Sequence, residues 1–433
     1  MSAKFQSVRG MRSIEEVAER HLCAGCGVCA FLEPAAIRMV DDLDRGRRPV
    51  VQRGSESGRG LQACPGLRLE QAPAPAGVDS SLRAGWGNVL AVWEGHSTDD
   101  EVRLKGSSGG AATALALWAI EATEMVGAVH IRAKPSQPVL NETTFSSDRE
   151  ALVSATGSRY SPASPADGLQ QLVDSKGPGI FIGKPCDVAG AVAASRLEPA
   201  LAEKLGLTVA IFCAGAPSTN ATVDYIEQIG GPLLSDLRRL RYRGNGWPGV
   251  FKATGHDGST VERSYEESWG VVQAKRPWRC RICPDHTGEL ADISVGDPWY
   301  RQPGEGEPGS SLIVARTERG KKAVEAAIAS GFLECRVVDP SLVPASQPGL
   351  LLVKASVFGR LVAMSLQGIP TPLFKGFSLF RLWITKLNLR RKAGSILGTI
   401  PRLRRWGVHQ PLRIKPGELQ SSAPEDKPST TTQ

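Results

Sequence analysis

Three closely spaced cysteines near the beginning of the chain constrain its fold more than any other feature. The stretch "HLCAGCGVCAFLEP" (21–34) places Cys23, Cys26 and Cys29 in a C-x2-C-x2-C pattern. This spacing is typical of loops that hold an iron–sulfur cluster, in which three further residues lead to a fourth cysteine. Glu33 stands where that cysteine is expected. The fourth ligand must therefore come from elsewhere in the chain.

Cys64 is the candidate for this fourth ligand. It lies in "LQACPG" (61–66), where Pro65 follows it as a proline follows the last cysteine of a ferredoxin loop. Four thiolates at these positions predict a [4Fe-4S] cluster. A zinc site made from some of these thiols is the alternative, although structural zinc sites usually pair two C-x2-C knuckles.

Five further cysteines remain to be explained. Cys280 and Cys283 form another C-x2-C pair, and Cys186 and Cys213 each follow an apolar stretch that we predict to be a strand. Because the functional loops of an α/β sheet lie at the carboxyl ends of its strands, these four thiols are candidates for a second cluster. Their spacing alone leaves isolated core cysteines as an equal alternative, and we expect Cys335 to pack as a small apolar side chain.

The order of apolar stretches, loops and helices indicates an α/β fold. The segment "LGLTVAIFCAGAPSTNATVDYIEQIG" (205–230) combines a β-branched strand, a loop and a helix that begins near Ser218 or Thr219. A hairpin is predicted around residues 256–258. The chain of 433 residues is long enough for two or three domains. We predict a mixed, mostly parallel sheet with flanking helices, preceded by a ferredoxin-like iron–sulfur segment.

Five motifs together resemble one known protein family. In chain order they are "GSSGG", "GKPCDVAG", "FCAGAPS", "YRGNGWPG" and "CRICPDHTGELADISVGDPW". They are similar to the family of coenzyme F420 hydrogenase/dehydrogenase beta subunits, which also includes 7-hydroxymethyl chlorophyll a reductase and ferredoxin-dependent divinyl chlorophyllide reductase. The resemblance covers roughly residues 15–345. It implies FAD and one or two [4Fe-4S] clusters, and it favours Cys186, Cys213, Cys280 and Cys283 as ligands of the second.

The stretch "KGSSGGAAT" (105–113) supplies groups that the pyrophosphate of a flavin dinucleotide needs. Its glycines permit close backbone approach, the following helix points its N-terminus at an anion, and Lys105 adds a positive charge. By itself the stretch is a weak signal, because a glycine turn before a helix is often only a structural break. The resemblance makes it the candidate flavin loop.

Three other positions are candidate flavin contacts: "GSRYSP" (157–162), Lys184 and "YRGNGWPG" (242–249). Their simpler interpretations include a surface turn for the first and a tight turn with a packed tryptophan for the last. The full set of candidate flavin contacts is Lys105, Ser107, Ser108, Gly109, Gly110, Thr113, Arg159, Tyr160, Lys184, Asn245, Gly246 and Trp247.

The resemblance implies an oxidoreductase that relays electrons between a one-electron partner, two clusters and FAD. The partner would be a ferredoxin or another redox protein. FAD would exchange a hydride with a small organic substrate, which is a deazaflavin of the coenzyme F420 type, a chlorophyllide-like molecule or an unknown compound. The alternative is an electron-transfer subunit of a larger redox complex without a substrate site of its own. No catalytic residue is predicted.

An acidic group accompanies the second cysteine pair. Its carboxylates are suited to a hard cation, but Asp292 and Asp297 adjoin a predicted strand, and we expect them to hydrogen-bond the backbone or anchor the C-x2-C loop. His286 is a possible proton donor with no assigned role. The acidic group comprises Asp285, Glu289, Asp292 and Asp297.

The net charge of +8 belongs to the C-terminal part of the chain. Between Asp339 and Glu418 there are 13 Lys and Arg and no acidic residue, so the rest of the chain is net acidic. Residues 373–407 mix apolar and basic side chains, which predicts an amphipathic helix pair lying on an anionic membrane. A helix packed on the body and a docking surface for an acidic redox protein are the alternatives. No nucleic-acid reader module is recognised, so nucleic-acid binding is not expected.

The cysteines also indicate the compartment. Nine cysteines in a chain without an apolar leader favour a reducing environment. No uninterrupted apolar run reaches the roughly 20 residues that a membrane span needs. We therefore expect a cytoplasmic protein, peripheral to the inner face of the membrane if the basic segment binds lipid.

These inferences divide the chain into segments. The predicted segments are an iron–sulfur segment (1–75), an α/β domain with the flavin loop (82–165), an α/β domain with the second cysteine set (166–345), a basic helical extension (346–415) and a disordered tail (416–433).

Overall fold

The computed structural model describes residues 11–52, 54 and 58–417. From position 418 onward, the tail that we predict to be disordered lies outside the described residues. The first ten residues of the predicted iron–sulfur segment lie outside them as well.

The strands within this part of the chain run from the N-terminal hairpin to the C-terminal extension. They are β1 (Ile37–Asp42), β2 (Gly46–Val51), β3 (Arg68–Glu70), β4 (Ala91–Ser97), β5 (Ala128–Lys134), β6 (Gln137–Ser146), β7 (Gly179–Gly183), β8 (Leu205–Ile211), β9 (Leu237–Arg241), β10 (Val250–Gly255), β11 (Thr260–Ser264), β12 (Ile293–Gly296), β13 (Ser311–Ala315), β14 (Leu333–Val337) and β15 (Leu373–Lys375).

Helices alternate with these strands, and several follow one another after β14. They are α1 (Ile14–Glu19), α2 (Val28–Leu32), α3 (Gly58–Ala63), α4 (Ser80–Trp86), α5 (Asp100–Lys105), α6 (Ala111–Ala122), α7 (Arg149–Ser154), α8 (Gln170–Val173), α9 (Pro185–Ser195), α10 (Pro199–Lys204), α11 (Thr219–Gln228), α12 (Tyr265–Val272), α13 (Trp278–Arg281), α14 (Glu318–Ala329), α15 (Leu342–Ser346), α16 (Leu350–Leu366), α17 (Leu379–Lys386), α18 (Leu389–Ile396) and α19 (Thr399–Arg405). Two 3-10 helices span Pro165–Gly168 and Gln273–Lys275.

An eight-stranded mixed sheet forms the centre of the molecule. Its strand order is β14-β4-β13-β12-β8-β7-β5-β6. The neighbours β12, β8, β7 and β5 are parallel, and β4 points the same way between two antiparallel partners. The predicted α/β class with a mixed, mostly parallel sheet is confirmed. Strands of the segments 82–165 and 166–345 share this sheet, so the two segments fold together.

Alternating side chains of the central strands fill two cores, one on each face of the sheet. Ile180 of β7 packs with α6 and α14 on one face, whereas Phe181 packs with α9 and α2 on the other. This alternation is the two-residue period of a strand covered on both faces. The helix α11 begins after Ser218, whose hydroxyl accepts a hydrogen bond from the backbone N–H of Ala221, as its sequence predicts.

Smaller sheets attach the outer segments. The strands β1 and β2 form a hairpin, and β9, β10 and β11 form an antiparallel sheet that includes the predicted hairpin. The strand β15 pairs with β3 in parallel, which ties the C-terminal extension to the end of the iron–sulfur segment. The side chains of Cys29, Cys64, Trp278 and Met364 share one core, so the extension also covers the first cysteine set.

The basic region 373–407 differs from its prediction. In place of a helix pair, it forms the short strand β15 and the three helices α17, α18 and α19. Gly376, Asn388 and Gly398 lie in the breaks between these elements, where glycine and asparagine favour turns over continued helix. Among the helices that the structure describes, none is both long and apolar enough to cross a membrane.

Candidate functional site

One edge of the central sheet carries several of the predicted site residues. Lys184 and Cys186 follow β7, Cys213 follows β8, and Asp297 follows β12. Because these strands are parallel, their carboxyl ends meet at a single edge. The site is therefore built where loops of an α/β sheet carry functional groups.

The first cysteine loop has a backbone that its glycines make possible. Gly25 and Gly27 have φ values of +73° and +91°. A Cβ atom on Gly27 would lie 2.7 Å from the backbone nitrogen of Asp167 and 2.9 Å from the carbonyl oxygen of Ser164. A larger residue is strained here and also lacks space. The loop can therefore turn tightly between its cysteines.

The thiols of the first set influence one another in a buried position. Burial, together with the neighbouring thiol of Cys23, raises the pKa of Cys64 to about 12. Burial and then the thiols of Cys64 and Cys29 raise the pKa of Cys26. Thiolates become stable in such a place only beside a compensating positive charge, as bound iron supplies.

The thiols of the second set line one cavity. Cys186, Cys213, Cys280 and Cys283 border it, and so does Gly25 of the first cysteine loop. The two sets are therefore adjacent. Burial raises the pKa of Cys213 to about 12, and the thiol of Cys280 adds to the rise. Three stretches that are far apart in the sequence thus bring four thiols to one place, where each thiolate would disfavour the ionisation of its neighbours.

Arg279 connects the two thiol sets, and sequence reasoning missed it. Its side chain is 2% exposed, and its guanidinium donates a hydrogen bond of 2.9 Å to the carbonyl oxygen of Pro65. Pro65 follows Cys64, whereas Arg279 precedes Cys280 and lines the cavity. A cation directly before a C-x2-C pair is the local signal that would have found it.

His286 lines the same cavity. Its Nδ1 lies 2.9 Å from the carbonyl oxygen of Cys213, which accepts the hydrogen bond. Its buried Nε2 and the Nε of Arg279 have no hydrogen-bond partner within the described residues. Burial lowers the pKa of His286, so the ring is neutral near pH 7. Unpartnered polar atoms on a cavity wall indicate a ligand that completes the site.

Lys184 is a partly buried cation at the same wall. Its ammonium group contacts the carboxylate of Asp187 at 2.6 Å and the carbonyl oxygen of Ala163 at 3.3 Å. Burial opposes its charge, but Asp187 and the thiol of Cys186 outweigh burial and raise the pKa of Lys184. Lys184 therefore stays charged beside the thiols.

Among the residues that the structure describes, no three His, Cys, Asp or Glu side chains are placed to hold one metal ion. Zinc draws its ligands to within about 2.3 Å of one point. A multi-iron cluster instead binds its thiolates at the separate corners of an iron–sulfide core.

The three loops predicted to contact flavin lie together. The hydroxyl of Ser107 accepts a hydrogen bond from the backbone N–H of Ser158, at 2.5 Å. The backbone N–H of Gly246 donates to the carbonyl oxygen of Leu104, at 3.1 Å. Arg241 joins the same group, since its guanidinium donates to the carbonyl oxygen of Lys105.

The glycine-rich loop leads into α6 without a side-chain cap. Gly110 has a φ of +72° and is the N-cap residue. Gly109 is closely surrounded, because its N–H donates to Ser311 Oγ at 2.8 Å and a Cβ would lie 2.7 Å from the carbonyl oxygen of Gly95. Thr113 lies in the first turn of α6. The uncapped N–H groups of this turn are suited to an anion.

Other predicted contacts are partly engaged within the protein. The Arg159 guanidinium donates to Asn141 Oδ1 at 2.8 Å and to the carbonyl oxygen of Leu240 at 2.9 Å. Tyr160 packs 4.8 Å from the ring of Trp269. The buried Trp247 ring packs against Trp299 and Arg301, and the loop beside it places Asn245 at a φ of +59°. These packed rings and the Arg159 guanidinium shape the walls around the loops. Their contact with flavin stays a prediction.

Two members of the acidic group accept hydrogen bonds from backbone N–H groups. Asp285 accepts hydrogen bonds from the backbone N–H groups of Thr287, Gly288 and Glu289, and so closes the loop after Cys283. Asp292 accepts from the backbone N–H of Thr208, which joins β8 to the start of β12.

Asp297 anchors the 242–249 loop. Its carboxylate pairs with Arg243 at 2.6 Å and accepts a hydrogen bond from Trp247 Nε1 at 2.8 Å. Asp292 bonds to the backbone, as predicted. Asp297 instead holds the side chains of Arg243 and Trp247, so it anchors the 242–249 loop and not the C-x2-C loop.

We expect Asp297→Ala to destabilise the protein by about 2 kcal/mol, because the buried Arg243 loses its charged partner. Urea unfolding of the variant and the parent measures this change. Asp257→Ala is a matched control, since Asp257 lies in an exposed turn and should change stability by about 0.5 kcal/mol or less. An Asp297 effect no larger than that of the control would contradict the anchoring role.

Known proteins are similar to this chain in sequence and in fold. The C-terminal family profile "Coenzyme F420 hydrogenase/dehydrogenase, beta subunit" matches residues 179–341, and its N-terminal counterpart matches 92–170. Together the two matches cover more than half of the chain.

Curated relatives come from methanogens. Coenzyme F420 hydrogenase subunit beta of Methanothermobacter thermautotrophicus is 27% identical over 302 residues, which is 66% of this chain and 99% of the relative. The corresponding subunit of Methanosarcina barkeri is 24% identical over 62% of this chain and 87% of its own. One subunit of the F(420)H(2) dehydrogenase of Methanosarcina mazei is 25% identical over 82% of this chain and 92% of its own.

A solved structure has the same fold. A chain of the F420-reducing [NiFe] hydrogenase complex from Methanosarcina barkeri matches with a TM-score of 0.50 and 20% identity. The match covers 76% of this chain and 97% of that chain.

Proposed function

The chain belongs to the family of coenzyme F420 hydrogenase/dehydrogenase beta subunits, and from this membership and the site we propose that it is an iron–sulfur flavoprotein oxidoreductase. It would carry two [4Fe-4S] clusters and FAD. Electrons would pass between a one-electron protein partner, the clusters and the flavin, which exchanges a hydride with an organic substrate.

The observation that carries this proposal is the meeting of eight thiols in two adjacent groups. Cys186, Cys213, Cys280 and Cys283 border one cavity, which the first cysteine loop also borders. All nine cysteines of the chain are free thiols. Unpartnered buried nitrogens on the cavity wall support a bound group there. This donor set is soft and rich in sulfur, as iron–sulfur clusters require.

FAD would lie where the three candidate loops join. The uncapped N-terminus of α6 and Lys105 are suited to the pyrophosphate. Lys105 contacts Glu101 at 2.6 Å but is 37% exposed, so it can reorient towards an anion. Lys184 would hold the flavin end near the second thiol set. Arg159 and Trp247 would act by fixing the loops.

The residues of the chain bind, orient and insulate these groups. When bound, the clusters supply one-electron transfer and FAD couples it to two-electron chemistry. Arg279 and Lys184 place positive charge beside the thiolates, which favours a reduced and more negative state of the site. Arg279 is buried, so water screens its charge little.

An electron-transfer subunit without its own substrate is the second candidate. Its support is that relatives are named as subunits of hydrogenases and that the matching solved structure is a hydrogenase complex. In that case the hydride partner would sit on another chain. Assaying the isolated chain and then its complex separates the two candidates, because only the first predicts substrate reduction by the isolated chain.

Anaerobic purification of the full chain tests the proposal itself. We expect about eight iron atoms and about one FAD per chain, with a broad visible absorbance. Zinc with no iron would favour the zinc alternative. A colourless protein that binds neither iron nor flavin after anaerobic reconstitution would refute the proposal.

A further inference from the structure

The helices α17 and α18 each expose a row of apolar side chains at the surface. On α17, Phe380 and Ile384 are 58% and 45% exposed, and their four-residue spacing puts them on one face. Leu389 and Leu397, at the two ends of α18, are 83% and 66% exposed, and the exposed Ala393 lies midway between them. We call Phe380, Ile384, Leu389, Ala393 and Leu397 the apolar ridge.

The ridge is held in place from beneath. Leu382 of α17 and Leu387, between α17 and α18, are buried against α16. Trp383 Nε1 donates a hydrogen bond of 3.0 Å to Ser395 Oγ, which joins α17 to α18. The exposed apolar side chains therefore lie on helices that are packed against the body of the protein.

Positive charge surrounds the ridge without any negative charge to balance it. Arg381, Lys386, Arg390 and Arg391 are exposed beside it. No acidic residue occurs between positions 340 and 417. Within the described residues, the salt bridges of this extension are made by other lysines, with Glu289 and Glu70. The four cations at the ridge are thus available to an external anion.

We propose that this surface docks the protein on an anionic lipid bilayer. The apolar ridge would enter the boundary between headgroups and acyl chains, while the four cations contact anionic headgroups. A bilayer can accommodate both the apolar side chains and the cations, because it has an apolar interior beneath a negatively charged surface. It does not need to match the shape of the ridge. An acidic protein would need a pocket matched to five apolar side chains. This proposal is independent of the proposed redox function.

Vesicle co-sedimentation of the full chain tests the proposal. We expect binding to phosphatidylcholine vesicles that contain about 30 mol% phosphatidylserine and weak binding to phosphatidylcholine alone. Salt should weaken binding, since it screens exposed charges. Leu389→Ser should lower the partition constant about tenfold. Arg390→Gln with Arg391→Gln should lower it more than tenfold, at about fivefold for each charge.

Matched controls separate this surface from general effects. Leu233→Ser removes an equally exposed leucine elsewhere, and Arg238→Gln with Arg239→Gln removes two exposed cations from β9. Both control proteins should bind as the parent does. Thermal melting verifies that each variant is folded. No binding by the parent, or equal loss in the controls, would overturn the proposal. The surface would then suit an acidic protein partner.

Discussion

Replacing Cys186 with alanine is expected to remove one iron–sulfur cluster and leave the other in place. Cys186 is one of four thiols on the cavity wall, and three thiolates hold a [4Fe-4S] cluster poorly. Iron should fall from about eight to about four atoms per chain. Iron analysis and EPR of the reduced protein measure the loss, with the signals of the remaining cluster retained.

The chain offers a matched control in its ninth cysteine. Cys335 is half-buried against the main core and belongs to neither thiol set. Cys335→Ala should keep about eight irons. Cys64→Ala should lose the other half, so that the two losses are additive in a double variant. Full iron in Cys186→Ala would show that this thiol is no cluster ligand and would remove the second site from the proposal.

Local patterns in the sequence predicted most of the secondary structure that surrounds the site. β-branched stretches marked β7 and β8, and the cap residue Ser218 marked the start of α11, because these signals depend on near neighbours. Their carboxyl ends carry Cys186 and Cys213, which follows from the parallel arrangement of such units. The sequence could therefore predict that these two thiols lie at the same edge of the sheet, but not their distance from each other.

Contacts between distant residues could not be predicted from spacing. Arg279 reaches Pro65, and Arg243 pairs with Asp297, over separations of many tens of residues. No local pattern records which buried cation meets which partner, because that depends on how whole segments pack. Loops that looked like flavin contacts, such as the one with Trp247, also proved to contain packed side chains.

The C-terminal extension shows the same limit. Its charge and apolar content were readable, but the division of residues 373–407 into β15 and three helices was not. Lys354 interrupts an apolar stretch in the sequence, and nothing in that stretch indicates that its side chain is buried. In the fold Lys354 is 3% exposed and forms a salt bridge with Glu289. The sequence did not indicate this pairing for either residue.

We expect Lys354→Met to destabilise the protein by about 3–5 kcal/mol, because it leaves the carboxylate of Glu289 buried without its countercharge. Lys354 contacts Glu289 and donates to the carbonyl oxygen of Gly85 at 3.0 Å. Gln71 also donates to Glu289, at 2.6 Å. The Lys354–Glu289 pair therefore joins α16 of the C-terminal extension to the loop after Cys283. Denaturant unfolding measures the loss, and Lys321→Met, at an exposed pair, should change stability by about 0.5 kcal/mol or less.

The loss of stability should depend on pH in one direction. Burial raises the pKa of Glu289 to about 7, although Lys354 opposes the rise. A raised pKa means that the folded protein keeps a proton that the unfolded chain releases, so this stabilising effect falls as pH rises from about 4.5 through about 7. Removing Lys354 raises the pKa further. Lys354→Met should therefore destabilise more at pH 8 than at pH 5, whereas Lys354→Met with Glu289→Gln should lose this dependence. If Lys354→Met lost more stability at pH 5 than at pH 8, the result would contradict the role of the buried Lys354–Glu289 pair in holding the extension against the site.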